Sequence, residues 1–151
     1  MTEFIATVVI TTSSAALFAY WFRYTCLLIL SAKTTRDYAA SVAAANQLGF
    51  LQVQTALRDL ASADLDALKG ALDRDYSVIS YLLKHATASS GPDEAIEKRM
   101  LSINYKLMGM WYSTARRFSP VAAARALQEM STVVAHFANS MGERAVVGAA
   151  A

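Results

Sequence analysis

Three aspartates that recur at seven-residue spacing are the first candidates for chemistry. Asp59, Asp66 and Asp73 would share one face of a helix, where neighbouring carboxylates can transfer protons or bind calcium. Lys69 and Arg74 are interleaved with them at helical spacing, and no glycine-turned loop of the calcium-binding type surrounds them. The pattern therefore indicates a solvated helix face with ion pairs.

The two histidines are the side chains best suited to bind a metal or a haem iron. Neither His85 nor His136 belongs to a His-x-x-x-His or Glu-x-x-His pair, so the sequence predicts no metal site and no bound cofactor. Either could be an axial ligand to a haem or chlorin held by a partner chain. We expect instead that His85 lies at the C-terminal end of a helix, and that His136 shares a polar helix side with Glu129 and Thr132.

Nucleophile and phosphate-binding motifs are missing from the sequence. It has no glycine-rich phosphate loop and no Gly-x-Ser-x-Gly motif. The single cysteine, Cys26, lies in an apolar run, which indicates a buried, unreactive thiol; palmitoylation near a membrane is the alternative. We expect no catalytic residues and no small-molecule substrate, and predict that the protein is not an enzyme.

The longest apolar stretch lies at the start of the sequence. Phe4 to Phe22 contains nineteen residues without a charge, and a helix of that length, at about 1.5 Å per residue, crosses a hydrocarbon core of roughly 30 Å. The sequence therefore predicts a single transmembrane anchor over residues 1–30, with the span at about 4–22. Aromatic residues at 18–24 are typical of the membrane interface. The expected interface anchors are Tyr20, Trp21, Arg23 and Tyr24.

The charges on either side of the span indicate its orientation. Glu3 is the only charged side chain before it, whereas Arg23, Lys33 and Arg36 follow it closely. The positive-inside rule places the N-terminus outside a bacterial inner membrane and the C-terminal domain in the cytoplasm. A cleaved signal peptide is the alternative, because residues 13–19 could present a cleavage site, but the sequence lacks the basic region that such peptides begin with.

Small and hydroxylated residues make up close to half of the span. Several are four residues apart, so that another helix can approach closely on their side. Serine and threonine hydroxyls bonded back to their own helix are the alternative explanation. The pattern favours a span that packs against other integral membrane proteins. The expected packing face consists of Thr11, Thr12, Ala15, Ala16 and Ala19.

The composition beyond the anchor is that of one small helical domain. The 151-residue chain is 55% hydrophobic and has only six glycines and two prolines, so it is too apolar for disorder and too poor in turn formers for a β fold. Charges of both signs are interspersed and the net charge is +2, which gives no indication of nucleic-acid binding. The sequence predicts an all-α chain.

Apolar periodicity and capping residues divide residues 31–144 into helices. One helix is expected to end near 46–49 and a short one near 61, after which Asp64, Pro92 and Ser119-Pro120 begin three longer helices. Gly142 is expected to let the last helix stop, leaving 145–151 as a flexible tail. Short loops predict an antiparallel bundle of three to four helices, into which the anchor helix continues without a break.

The helix expected after Pro92 carries apolar side chains on more than one face. We expect it to be the central helix of the bundle, with a well-filled core. Its core-facing stripe is predicted to contain Ile96, Met100, Ile103, Leu107, Met110 or Trp111, and Phe118. The alternative is a surface for a protein partner. The residues expected there are Met108, Trp111 and Tyr112.

These features together suggest a non-catalytic accessory or structural subunit of a larger bacterial inner-membrane complex, such as an energy-converting one. The expected partners are the lipid bilayer and integral membrane proteins, with the bundle bracing the cytoplasmic side. The first alternative is a membrane-tethered helical adaptor that recruits a soluble partner. The second is a soluble helical oligomer with a buried N-terminal helix.

Overall fold

The computed structural model describes residues 1–32, 34, 36–86 and 91–150, and within these ranges the chain has six helices and no strand. The prediction of an all-α chain is confirmed. The chain forms two compact units, Met1–Lys33 and Thr34–Ala151. The helices are α1 (Thr2–Ser31), α2 (Ala39–Asn46), α3 (Phe50–Ala56), α4 (Leu65–His85), α5 (Pro92–Ala115) and α6 (Pro120–Ala150).

The first unit is the single helix α1. Its 30 residues are long and apolar enough to cross a membrane. The helix ends at Ser31, since Ala32 has extended backbone angles, φ −62° and ψ 124°, and α2 begins only at Ala39. The expectation that the anchor helix continues unbroken into the second unit is therefore wrong. Asp37 Oδ1 accepts the Ala39 N–H at 2.9 Å, which favours a new helix start at α2.

The second unit is built around α6. This helix packs against α2, α3, α4 and α5, and many of its buried residues are alanines, whose small side chains let neighbours approach on several sides. The expectation that α5 is the central helix is therefore wrong, because α6 holds that position. The buried residues of α6 are Ala123, Ala124, Ala126, Leu127, Met130, Ser131, Val133, Val134, Phe137, Ala138, Asn139 and Gly142.

Capping side chains begin two of the long helices where the sequence predicts them. Asp64 Oδ1 accepts the backbone N–H groups of Asp66 and Ala67 at 3.1 and 3.2 Å. Ser119 Oγ accepts the backbone N–H of Ala122 at 3.2 Å. These bonds satisfy donors that the first turn of a helix leaves unpaired. The predicted helix starts after Asp64 and Ser119 are confirmed.

Gly142 lies at the closest approach between α6 and the segment that leads into α2. A Cβ atom at Gly142 would lie 2.3 Å from the Cβ and 2.9 Å from the Cγ of Tyr38. The backbone N–H of Tyr38 also donates to Asn139 Oδ1 at 2.7 Å. The helix itself continues to Ala150, so the expected stop at Gly142 is wrong; close packing, rather than a helix end, requires glycine here.

Candidate functional site

Two tyrosine–aspartate pairs join α4 to α5. The Tyr112 hydroxyl donates to Asp66 Oδ1 at 2.7 Å, and the Tyr105 hydroxyl donates to Asp73 Oδ1 at 2.9 Å. Arg116, just beyond α5, forms an ion pair with Asp66. Residue numbers fall along α4 as they rise along α5, so the two helices run in opposite directions.

Asp66 and Asp73 therefore each accept a hydrogen bond from a tyrosine of α5 and pair with a basic side chain. Asp59 lies between α3 and α4, so the expectation that all three aspartates share one helix face is wrong. The predicted ion pair within the helix is present, because Lys69 Nζ lies 2.5 Å from Asp73 Oδ2.

Burial, followed by the nearby Asp73 carboxylate, raises the pKa of Tyr105 well above its usual range. Burial and the hydrogen bond to Asp66 raise the pKa of Tyr112 to about 12. Both hydroxyls thus keep their protons at neutral pH and hold the helices together as donors.

The tyrosine partners of these aspartates were missed at the level of sequence. Tyr105 and Tyr112 are seven residues apart, as are Asp66 and Asp73. In an antiparallel pair of helices, two such rows can align donor to acceptor over two turns. A row of donors at seven-residue spacing on one helix and a row of acceptors at the same spacing on the next is the sequence signal that could have identified these pairs.

A second polar cluster joins α5 to α6. His136 Nε2 lies 2.6 Å from Glu97 Oε1, and Arg144 forms an ion pair with Glu94. Burial, followed by the charge of Arg144, lowers the pKa of Lys98. The contacts again run in opposite order along the two helices. His136 thus bridges two helices and is not confined to the polar side of its own.

His85 and Cys26 are the other residues considered for metal or redox chemistry. His85 is in the last turn of α4, where its Nδ1 lies 2.8 Å from the Tyr81 carbonyl oxygen. Cys26 is buried. In the part of the chain that the structure describes, no group of three or more His, Cys, Asp or Glu side chains is arranged to hold a metal ion.

The predicted packing face lies on the exposed surface of α1. Residues 1–21 are all exposed, and Thr11 to Ala19 present the five predicted side chains within an arc of about 140°. At least one hydroxyl of the helix is bonded internally, since Thr7 Oγ1 donates to the Glu3 carbonyl at 2.8 Å. This arc therefore offers a second helix a surface of small side chains.

The predicted interface residues form an aromatic cluster further along α1. The Tyr20 and Tyr24 rings stack with centroids 6.3 Å apart, and Trp21 meets Tyr24 edge-on at 5.8 Å. All three aromatic side chains are exposed, and Arg23 is half-buried. Side chains that combine an apolar body with a polar tip suit the boundary between lipid and water.

The exposed side of α5 carries a row of large apolar side chains. We call Ile96, Ile103, Leu107, Met110 and Trp111 the α5 apolar stripe; their exposed fractions range from 37% to 63%, and they fall within an arc of about 100°. The sequence predicted that this side faces the core, and that prediction is wrong. The buried residues of α5 are instead Leu101, Asn104, Tyr105, Met108, Tyr112 and Ala115.

The structure separates the three residues predicted for a partner surface. Met108 and Tyr112 are buried, with exposed fractions of 9% and 2%, whereas 52% of Trp111 is exposed. Tyr112 is also engaged with Asp66. Trp111 is thus the member of this set that can contact another molecule without rearrangement, and its neighbours on the surface are the other residues of the α5 apolar stripe.

The exposed apolar surface of α1 and that of α5 are two separate candidate functional sites, one on each unit. The described polar clusters hold helices of the second unit together, whereas the side chains of these two surfaces are exposed. Comparison with protein-family models, curated proteins and solved structures found no match for this chain.

Proposed function

We propose that the protein is a non-catalytic accessory or structural subunit of a larger bacterial inner-membrane complex, such as an energy-converting one. In this proposal α1 crosses the membrane once with its N-terminus outside, and the second unit braces the cytoplasmic side as an antiparallel helical bundle. The observation that carries the proposal is α1 itself, a 30-residue apolar helix whose first 21 positions are exposed. Residues 34–151 form a separate compact unit.

The physical support for an anchor is the free energy of apolar surface. Removing such surface from water stabilises a protein by about 25 cal/mol per Å², and the exposed side chains of α1 include Phe4, Ile10, Leu17 and Phe18. A bilayer provides the apolar surroundings for a helix of this length. Glu3 before the span and Arg23 after it favour the proposed orientation.

The support for partner helices is the size of the side chains on α1. Lipid tails are as apolar as leucine, so helices associate within a membrane where small residues allow their backbones to approach. Thr11, Ala15 and Ala19 follow one another at four-residue spacing on the exposed surface. A span that only holds its domain at the membrane gains nothing from such a row.

The test is purification of the tagged full-length chain from native membranes in a mild detergent, followed by mass spectrometry. We expect a stoichiometric set of integral membrane proteins. Replacing the five residues of the packing face with leucine should leave the chain in the membrane but remove these proteins. The matched control replaces Ala6 and Ser13, on the opposite side of α1, with leucine and should retain them.

Two results would refute the subunit proposal. A chain that purifies alone as a monomer has no complex to belong to. A chain that retains one soluble partner, with the packing-face variant behaving like the wild type, is instead a tethered adaptor.

A further inference from the structure

Basic side chains border one edge of the α5 apolar stripe. On a helical projection, Arg99 and Lys106 lie about 20° and 40° beyond Met110 at that edge. Arg117 follows just after the end of α5, and all three are exposed. The exposed side of α5 is therefore itself amphipathic, because a row of apolar side chains lies next to a row of basic ones.

These basic groups are not neutralised by the described part of the chain. None of the ion pairs between its residues involves Arg99, Lys106 or Arg117. Two acidic residues of α5, Glu94 and Glu97, already pair with α6. The basic row thus faces solvent with its charge available to a negatively charged partner.

The C-terminal end of the stripe is its most aromatic part. Exposed fractions reach 52% for Trp111 and 83% for Phe118, and Val121 in the first turn of α6 is 49% exposed. Trp and Phe on the apolar side and Arg or Lys at its border are typical of helices that lie in a membrane interface. Asp93 is at the opposite end of α5, in its first turn, so the C-terminal half is the part best suited to contact anionic headgroups.

We propose that the α5 apolar stripe docks on the anionic surface of the membrane that α1 spans. The stripe enters the boundary between headgroups and acyl chains, and Arg99, Lys106 and Arg117 contact lipid phosphates. This inference rests on the proposed membrane anchor. Residues 32–38 between α1 and α2 can extend over at most about 25 Å, so an inserted α1 keeps the second unit at a high effective concentration near the headgroups.

The basic residues that border the α5 apolar stripe make a second copy of the chain a less favourable binding partner for it than an anionic membrane. Antiparallel packing of two stripes would place Arg99 and Lys106 of one copy against the same basic row of the other, which is unfavourable. Parallel packing would place the basic row against the edge that carries Glu97, whose carboxylate already binds His136. An anionic lipid surface meets both the apolar and the basic row without rearranging these contacts.

The test uses full-length chain reconstituted into vesicles of brominated lipids, either zwitterionic or containing phosphatidylglycerol. Since the chain has two tryptophans, the Trp21→Phe variant makes Trp111 the only one. We expect brominated acyl chains to quench Trp111 fluorescence in the anionic vesicles. Salt should weaken the quenching, because exposed charges are screened beyond a Debye length of about 10 Å at 0.1 M.

Charge-reversed variants separate docking from general basicity. Arg99→Glu with Lys106→Glu should reduce the quenching in anionic vesicles by at least about threefold, since each basic residue near such a surface contributes on the order of 1 kcal/mol. Arg58→Glu with Lys84→Glu is the matched control, because these residues are exposed on other elements, and it should leave the quenching unchanged. Circular dichroism confirms that each variant is folded.

The possible outcomes distinguish the docking from the anchor. Solvent-like Trp111 emission without quenching in either vesicle overturns the docking, as does a blue shift without quenching that grows with protein density, which means that protein covers the stripe. Flotation of the chain with the vesicles reports insertion of α1 separately. Flotation without quenching refutes only the docking, whereas loss of flotation refutes the anchor and the docking together.

Discussion

Replacing Gly142 with alanine should destabilise the second unit, although alanine is the better helix former. The added Cβ would lie 2.3 Å from Tyr38 Cβ and 3.3 Å from Val42 Cγ2, whereas carbon atoms pack at about 3.5–4.0 Å. The obstructing Tyr38 atom is attached directly to the backbone and cannot turn aside. The segment leading into α2 must therefore move away from α6 by more than about 1 Å to reach ordinary packing distance.

The expected change in the free energy of unfolding combines two destabilising effects and one stabilising effect. Overpacking of this kind costs about 1–3 kcal/mol. Movement of Tyr38 also strains its backbone hydrogen bond to Asn139, which measures 2.7 Å and belongs to a class that contributes about 0.5–1.5 kcal/mol. Alanine returns about 1 kcal/mol of helix propensity. The two destabilising effects together outweigh the gain in propensity, so the free energy of unfolding should fall by about 0.5–3.5 kcal/mol.

The assay is denaturant unfolding of the full-length chain in mild detergent, followed by far-ultraviolet circular dichroism. Gly70→Ala is the matched control, because Gly70 lies within α4 and nothing lies within 4 Å of a Cβ built there. That variant should gain up to about 1 kcal/mol. If Gly142→Ala is stabilised as much as Gly70→Ala, the close approach of Tyr38 to α6 does not exist.

Three further predictions concern the buried polar groups and use the same unfolding assay. Tyr112→Phe, which removes the hydrogen bond to Asp66, should cost about 0.5–1.5 kcal/mol, whereas Tyr81→Phe at an exposed ring should cost nothing measurable. The folded protein raises the pKa of Tyr112 to about 12, whereas an unfolded tyrosine has a pKa of about 10. The stability that the Tyr112 hydroxyl contributes is therefore complete below about pH 10 and is lost as pH rises towards 12. Tyr112→Phe should reduce the fall in stability over that range, and an unchanged slope would contradict the hydrogen bond between Tyr112 and Asp66. Asp75→Ala should cost about 1–3 kcal/mol, because the buried Asp75 Oδ2 accepts the Gly49 N–H at 2.7 Å, and Asp75→Asn, which keeps an acceptor, should cost less.

Helix starts and one amphipathic pattern could be predicted from the sequence because they depend on local chemistry. The caps at Asp64 and Ser119 satisfy donors within their own first turns. The apolar residues of α4 also recur on one side of the helix, and Leu72, Ile79 and Leu83 on that side are buried. Each of these features depends on residues of one helix and not on the helices that pack against it.

The orientation of α5 could not be predicted because the helix has two apolar sides. Ile103 and Met110 lie on one and Leu101 and Met108 on the other, so periodicity alone cannot choose between them. The second side is the buried one because α5 packs against α6, and Tyr105 on this side also donates a hydrogen bond to Asp73 of α4. Gly142 was misassigned for a related reason, since the residue that requires its small size is more than a hundred positions away.

The candidate surfaces of α1 could be predicted from the sequence, whereas the α5 apolar stripe could not. The packing face and the aromatic cluster of α1 follow from residue type and spacing along one helix. The α5 apolar stripe follows from which side of the helix α6 and α4 cover, and that depends on long-range packing. A surface position for Trp111 was only the alternative to a core position, and its neighbours on that surface emerged only from the fold.

Alkaline carbonate extraction of native membranes shows whether α1 anchors the protein in a membrane. High pH releases peripheral proteins and leaves spanning helices in the bilayer, because their apolar surface remains unfavourable in water. If α1 spans the membrane, the full-length chain stays in the membrane pellet. Recovery of the chain in the supernatant with the peripheral proteins would contradict a membrane-spanning α1.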